Sequence, residues 1–378
     1  MSEIPTEMRD RVDWVRFARR TILRVGFVSP TGREAGRCVG IVPFQVLTLI
    51  LSVVLAGCGS NERMITVYSS LDPEFSAPVL DAYAQKTGVE VRPKFDVEST
   101  KSVGLTERIV QEASRPRCDL FWNNEILNTL RLKRKGLLAP WSPSNASDIP
   151  DAFKGKDGTW YGFAARARVL LVNTSIVPEG ERPSSILDLV APKWKGKFAI
   201  AKPLAGTTAT HATCLFLAWG DEKAKAYFAD LKRNGVHVLS GNKQVATAVG
   251  AGEVAIGLTD TDDAIAEVEA GRPVAIVYPD RQAGQLGTLF IPNTLSIPKG
   301  SPSPKLAEAL GNALLGPETE AALAQGPSAQ IPLNRKTVAS VRVETPRTVQ
   351  AMAVDFEAAV LLWDRVAAYL ASEFATGL

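Results

Sequence analysis

The sequence predicts an α/β protein folded in two lobes, and three observations predict it. Short apolar runs of strand length take turns with longer helical patterns, the mark of layered sheet and helix with largely parallel pairing. The alternation restarts after residue 160. About 320 residues follow residue 57, more than one hydrophobic core comfortably serves.

In chain order, Met64-Ile65-Thr66-Val67-Tyr68 reads as a strand, followed by a helix near Pro78 to Lys86, the strand Val89-Glu90-Val91, a helix near Lys101 to Ala113 and the strand Asp119-Leu120-Phe121-Trp122. The second series holds Val169-Leu170-Leu171-Val172-Asn173, a helix from about His211 to Trp219, and the strands Val236-His237-Val238-Leu239 and Val254-Ala255-Ile256-Gly257-Leu258. The Pro-rich stretches Ala139 to Pro150 and Pro298 to Pro304 read as surface turns. Segments Pro317 to Gln325 and Val349 to Phe374 read as amphipathic helices packed on a lobe.

Ahead of these elements, the chain between Arg37 and Cys58 carries no charge and closes on Leu55-Ala56-Gly57-Cys58. Its length would also suit a membrane span, but small residues immediately before a cysteine read as a bacterial lipoprotein signal, with Cys58 the lipidated mature N-terminus. Residues 1–57 hold eight arginines, five acids and no lysine, so the basic balance of the whole chain belongs to this leader. The remaining part is close to neutral, which argues against nucleic acid or a polybasic membrane patch as its partner. The lipid is then the only membrane contact, and the product is exported, periplasmic and monomeric. Of four cysteines only Cys118 and Cys214 fall within the fold, and with no C-x-x-C spacing they read as unpaired, buried apolar residues. Two histidines are too few for a multi-histidine zinc centre.

Ligands of open α/β sheets collect at the carboxyl ends of strands, and here four turns carry polar residues. These are Ser69-Ser70-Leu71-Asp72, Asn123-Asn124-Glu125, Thr259-Asp260-Thr261-Asp262-Asp263, and Gly206-Thr207-Thr208-Ala209-Thr210-His211. Each also has a local explanation as a helix cap, and Thr259 with Asp262 fits a capping box. Three acids in four residues exceed what capping needs, so Asp260, Asp262 and Asp263 suggest a bound cation or cationic group. The Gly206 turn suggests the opposite sign, because helix N-termini and hydroxyls accept anions. Arg166 and Arg168, alternating on one strand face, could grip a carboxylate or phosphate. A cleft with both signs suits a zwitterion, or a metal bound with a small anion. There is no G-x-S-x-G elbow, P-loop or H-E-x-x-H, so no enzyme is expected.

Several stretches resemble the solute-binding proteins of ABC importers, particularly the group similar to iron(III)-binding proteins. They are Val67-Tyr68-Ser69-Ser70, Cys118 to Glu125, Gly136 to Pro140, Trp160 to Val169, Asp188 to Lys197 and Gly252 to Leu258, with the turn Ser328 to Asn334. The resemblance implies a periplasmic-binding-protein fold of type II kind, with a ligand cleft between lobes joined by hinge strands near Ala165 to Val172 and Gly257 to Pro292. It implies this division: residues 1–57 leader, 58–165 first lobe, 166–287 second lobe, 288–335 a return to the first, and 336–378 C-terminal helices. It also implies transfer of a small ligand to a membrane permease. Relatives that bind iron place two adjacent tyrosines after the strand at 254–258, where this chain has Thr261 and Asp262. Asp72, Glu125, Asp260, Asp262 and Asp263 would then offer oxygen ligands to a hard cation, ferric iron first. Ser69, Ser70, Arg166, Thr207, Thr208 and Asn242 would hold its carbonate or phosphate. The alternative is an organic ligand bearing an amine and an oxyanion, or a polyamine-like cation facing Tyr68 and Trp122.

Overall fold

The first strand, β1 (Met64–Ser69), buries Ile65 and Val67 completely while Met64 and Thr66 are partly exposed, and from Val67 onward it is buried on both faces. A computed structural model describes residues 63–96 and 101–374; the leader, Cys38 and the proposed lipidation site Cys58 lie outside them. After β1 come α1 (Pro73–Thr87), β2 (Glu90–Phe95), α2 (Val103–Gln111), β3 (Leu120–Asn123), α3 (Leu127–Arg134) and β4 (Leu138–Ala139). Proline at the start of α1 and Gly88 at its end, with φ of 69°, fix both boundaries of that helix. Then follows β5 (Trp160–Asn173), fourteen residues buried throughout.

The second half continues with β6 (Phe198–Ala201), α4 (Gly206–Trp219), α5 (Asp221–Arg233), β7 (His237–Leu239), α6 (Asn242–Ala251), β8 (Ile256–Asp260), α7 (Thr261–Glu269) and β9 (Val274–Val277). The chain then returns through β10 (Phe290–Pro298) to α8 (Pro304–Leu314) and α9 (Pro317–Gln325), and ends with α10 (Phe356–Ala359) and α11 (Trp363–Phe374).

The strands run in the order β2-β1-β3-β10-β5-β8-β6-β7, with β4 added to β10 and β9 to β5. Pairing is parallel within each flank, β2-β1-β3 on one side and β8-β6-β7 on the other. The long strands between them are antiparallel to their neighbours. Residues 160–167 of β5 pair with β10, whereas residues 168–173 pair with β8 and β9. One continuous strand therefore serves both half-sheets, which makes the fold the two-lobed α/β architecture. The second crossing strand is β10, starting at Phe290; Gly257 belongs to β8, wholly in the second half-sheet, so the connection begins later than the sequence suggests.

At the crossing, Phe163 faces Asn293 and Arg166 faces Ile291, so Ala164 and Ala165 together oppose Pro292 in a bulge. Ala164 adopts φ of 42°, costly for a residue with a Cβ. The buried Glu320 carboxylate holds this backbone in place, accepting the N–H groups of Ala164 (2.6 Å), Leu333 (3.0 Å) and Asn334 (2.6 Å). The Ser328 to Asn334 turn is thus fastened to the crossing, and Ile331 bridges to Ala165.

Apolar packing follows the two half-sheets. One core joins Ile65, Val67, Leu120, Trp122 and Leu295 to α8; another joins Leu170, Phe198, Ile256, Phe216 and Phe228 to Val366, Leu370 and Phe374. The last helix therefore covers the second half-sheet. It is shorter than the 349–374 pattern suggests, because residues 349–355 form no helix. Cys118 and Cys214 are both free and buried. Among the described residues no helix is long and apolar enough to cross a membrane.

Candidate functional site

Five strand ends converge on one cleft. Asp72 follows β1, Asn124 follows β3, Lys202 follows β6, Ser240 follows β7 and Asp260 ends β8, and all five line the same cavity. Lys101, Arg166, Asp262 and Asp263 complete its charged wall. The starts of two helices also line it, α4 through Ala205 to Thr208 and α6 through Gly241 and Asn242. Gly206 has φ of 59°, the left-handed conformation that lets the chain enter α4 directly from the β6 turn.

Asp260 sits in the most fully connected arrangement. It lies opposite Arg168 across the antiparallel β5–β8 pair, and Arg168 Nη1 reaches its Oδ1 at 2.7 Å with neither side chain more than 4 % exposed. Thr207 Oγ1 donates to Asp260 Oδ2 at 2.5 Å and Asn242 Nδ2 does so at 3.0 Å. Asn242 Oδ1 in turn accepts from Arg168 (3.1 Å) and Thr208 (3.1 Å). The network ties α4, α6, β5 and β8 into one rigid wall.

Two residues back along β5, Arg166 Nε stands 3.2 Å from Oδ2 of Asp262 in the first turn of α7, both buried. Burial nevertheless pushes the Asp262 carboxyl up to about 6, against the pull of Arg166. Burial, aided by its neighbour Asp262, raises Asp263 well above the ordinary carboxylate range. On the facing lobe Lys101 Nζ clasps both oxygens of Asp72, at 2.7 and 2.9 Å. Four acidic side chains, Asp72, Asp260, Asp262 and Asp263, stand beside four bases, Lys101, Arg166, Arg168 and Lys202. The wall that reads as acidic in sequence is balanced by the protein's own bases.

The structure thus brings together Asp72, Arg166, Thr207, Thr208, Asn242, Asp260, Asp262 and Asp263. It does not bring the other candidates there. Glu125 is fully buried and occupied as the local cap of α3, accepting from Leu127 N (2.6 Å), Asn128 N (2.9 Å) and, across the lobes, Thr210 Oγ1 (2.7 Å). Ser69 is spent on Leu71 O and Ser76, and Ser70 on Asn123 Oδ1 and Asn124 N, so neither hydroxyl serves an anion. Tyr68 bonds Glu112 and Trp122 bonds Asn293; both rings are core, and the aromatic basis for a polyamine-like ligand is gone. Thr259 donates to Asn242 O, and Asp260 takes the N-cap position of α7, so the capping box does not form.

Sequence reasoning missed Lys101, Lys202, Ser240 and Gly241. Gly241 before Asn242 carried a signal, as a helix start after a strand; the two lysines carried none, being separated by about a hundred residues.

A model of the family described as bacterial extracellular solute-binding protein matches residues 79–351. The Fe(3+)-binding periplasmic protein of Serratia marcescens is 26% identical over 203 residues, 54% of this chain and 58% of that protein, so the chain spans little more than half the length of such curated relatives. Two solved structures superpose with a TM-score of 0.74. Iron-bound HitA from Pseudomonas aeruginosa is 23% identical, covering 83% of this chain and 99% of HitA. The periplasmic binding protein AfuA from Actinobacillus pleuropneumoniae, with fructose-6-phosphate bound, is 22% identical over 83% of this chain and 99% of AfuA. The family match covers well over half of the residues, and this chain belongs to the bacterial extracellular solute-binding proteins.

Proposed function

We propose that this protein is the exported, lipid-anchored binding component of an ABC importer, and that it delivers to the permease a small organic solute carrying an oxyanion and an amine or hydroxyl. The observation that carries the reading is the meeting of the starts of α4 and α6 around one cavity, with Lys202 beside them. Backbone N–H groups at helix starts and flanking cations form an anion site without further help. Asp262 and Asp263 on the same wall accept hydrogen bonds from the donor end of the solute. The solute touches both lobes, so it stabilises the closed arrangement that a permease recognises. No reaction is involved.

A second reading, ferric iron held with carbonate or phosphate, draws on the acidic cluster: one ligand atom from each of Asp260, Asp262 and Asp263 lies within 4.8 Å of the others. The names of the Serratia relative and of HitA favour it. Against it, no tyrosine lines the cavity, and Asp260, Asp262 and Asp72 are each already paired with a base. Native mass spectrometry of protein purified without chelator separates the two. An organic increment supports the first reading, and an iron increment replaces it with the second.

A further inference from the structure

The cleft cavity is small, about 40 Å³. At roughly 10–15 Å³ for each water-sized group, it accommodates an oxyanion and little more. Asp262 and Asp263 also line a second cavity of about 180 Å³, whose other walls include Phe75, Ala266 and Pro327. Over this second cavity Lys243 Nζ reaches Glu74 Oε1 at 3.0 Å, an ion pair joining α6 to α1 and so one lobe to the other. A third observation concerns the boundary of the first cavity. Asn124, 2 % exposed, lines it with Oδ1 buried and without a hydrogen-bond partner. A buried acceptor left unpaired carries a desolvation penalty that is removed when a ligand donates to it.

We infer that the cargo is elongated: its oxyanion occupies the first cavity, its hydrogen-bond donor is read by Asn124 Oδ1 and the Asp262–Asp263 carboxyls, and an uncharged carbon portion continues into the second cavity beneath Lys243 and Glu74. The inference rests on the oxyanion-first reading given above. It makes Asn124 a specificity residue contributed by the first lobe, and it makes Phe75, Ala266 and Pro327 the wall that selects tail length.

Calorimetric titration with three probes tests it: inorganic phosphate, 2-aminoethyl phosphate, and 2-(butylamino)ethyl phosphate. The donor should tighten binding at least tenfold over inorganic phosphate, and the butyl tail at least tenfold again. Asn124→Leu should erase the first gain. Ala266→Phe, at an exposed position that leaves the core untouched, should erase the second by filling the cavity. A butyl gain that is absent, or that persists in Ala266→Phe, overturns the elongated cargo while the oxyanion reading stands. Failure of all three probes to bind overturns both.

Discussion

Arg168→Met tests whether the cleft wall is held by its own ion pairs. Arg168 is wholly buried, and its Nη1 serves Asp260 at 2.7 Å, Asn242 at 3.1 Å and Thr207 at 3.3 Å. Methionine replaces much of the stem volume but leaves Asp260, 3 % exposed, without its cation. Removing one partner of a buried pair costs about 3–5 kcal/mol, because the survivor keeps its desolvation penalty. Thr207 and Asn242 continue to donate to Asp260, so the lower half of that range, about 3 kcal/mol, is the expected loss. Urea denaturation followed by circular dichroism reads it as a lower midpoint at unchanged slope. Asp260→Asn should cost a similar amount by stranding the guanidinium. The double variant should recover at least half of the summed losses, since no charge then remains unpaired. A loss below about 1 kcal/mol for Arg168→Met, or strict additivity in the double variant, would refute the paired wall.

Other outcomes follow from the same geometry. Gly257→Ala places a Cβ 2.5 Å from Val245 Cγ1 and 2.9 Å from Val249 Cγ2 where α6 lies on β8, so a loss of about 1–3 kcal/mol is expected in the same denaturation assay. Glu320→Gln exchanges one acceptor oxygen for a donor facing backbone N–H groups, and should cost about 2 kcal/mol or more. His211 is held well below its ordinary value, first by burial and then by Arg168. The unfolded chain therefore takes up its proton first, and the His211 contribution to stability falls as pH drops below about 6.5, by up to about 1.4 kcal/mol per pH unit. His211→Leu should flatten that part of the stability profile between pH 6.5 and 5; an unchanged slope would show the ring to be solvated.

Much of the fold was legible because its signals are local. The apolar runs at 64–68 and 169–173 and the alternation around them depend on neighbours a few residues away, and the proline opening α1 marks a boundary that any chain would respect. The extension of the crossing strand back from Ala165 to Trp160 was not legible, since Trp160 to Ala164 mixes aromatic and small residues, and only pairing with β10 makes them strand. Helix α4 begins at Gly206, five residues before the apolar pattern, because its first turn is polar and faces the cleft rather than a core. The fates of Ser69, Ser70 and Glu125 were invisible for a related reason: the sequence shows that a group can bond a ligand, but not that a backbone N–H or a neighbouring side chain has already claimed it.

The arginines and acids show where that limit lies. Arg166 and Arg168 alternate along β5 and so keep one face, while Asp260 closes β8 and Asp262 stands in the first turn of α7 that follows it. Antiparallel pairing sets Arg168 against Asp260, and the turn from β8 into α7 carries Asp262 to Arg166. Read singly, the acids call for a cation and the arginines for an anion. Read in register, each answers the other, and the demand for a bound metal weakens. Among the described residues lining the cleft, Arg166 Nε and the buried Oδ1 of Asn124 keep no hydrogen-bond partner, and the starts of α4 and α6 stand beside them. Under the proposed function those groups take the negative end and the donor end of one small molecule, which is why an organic solute is proposed ahead of iron.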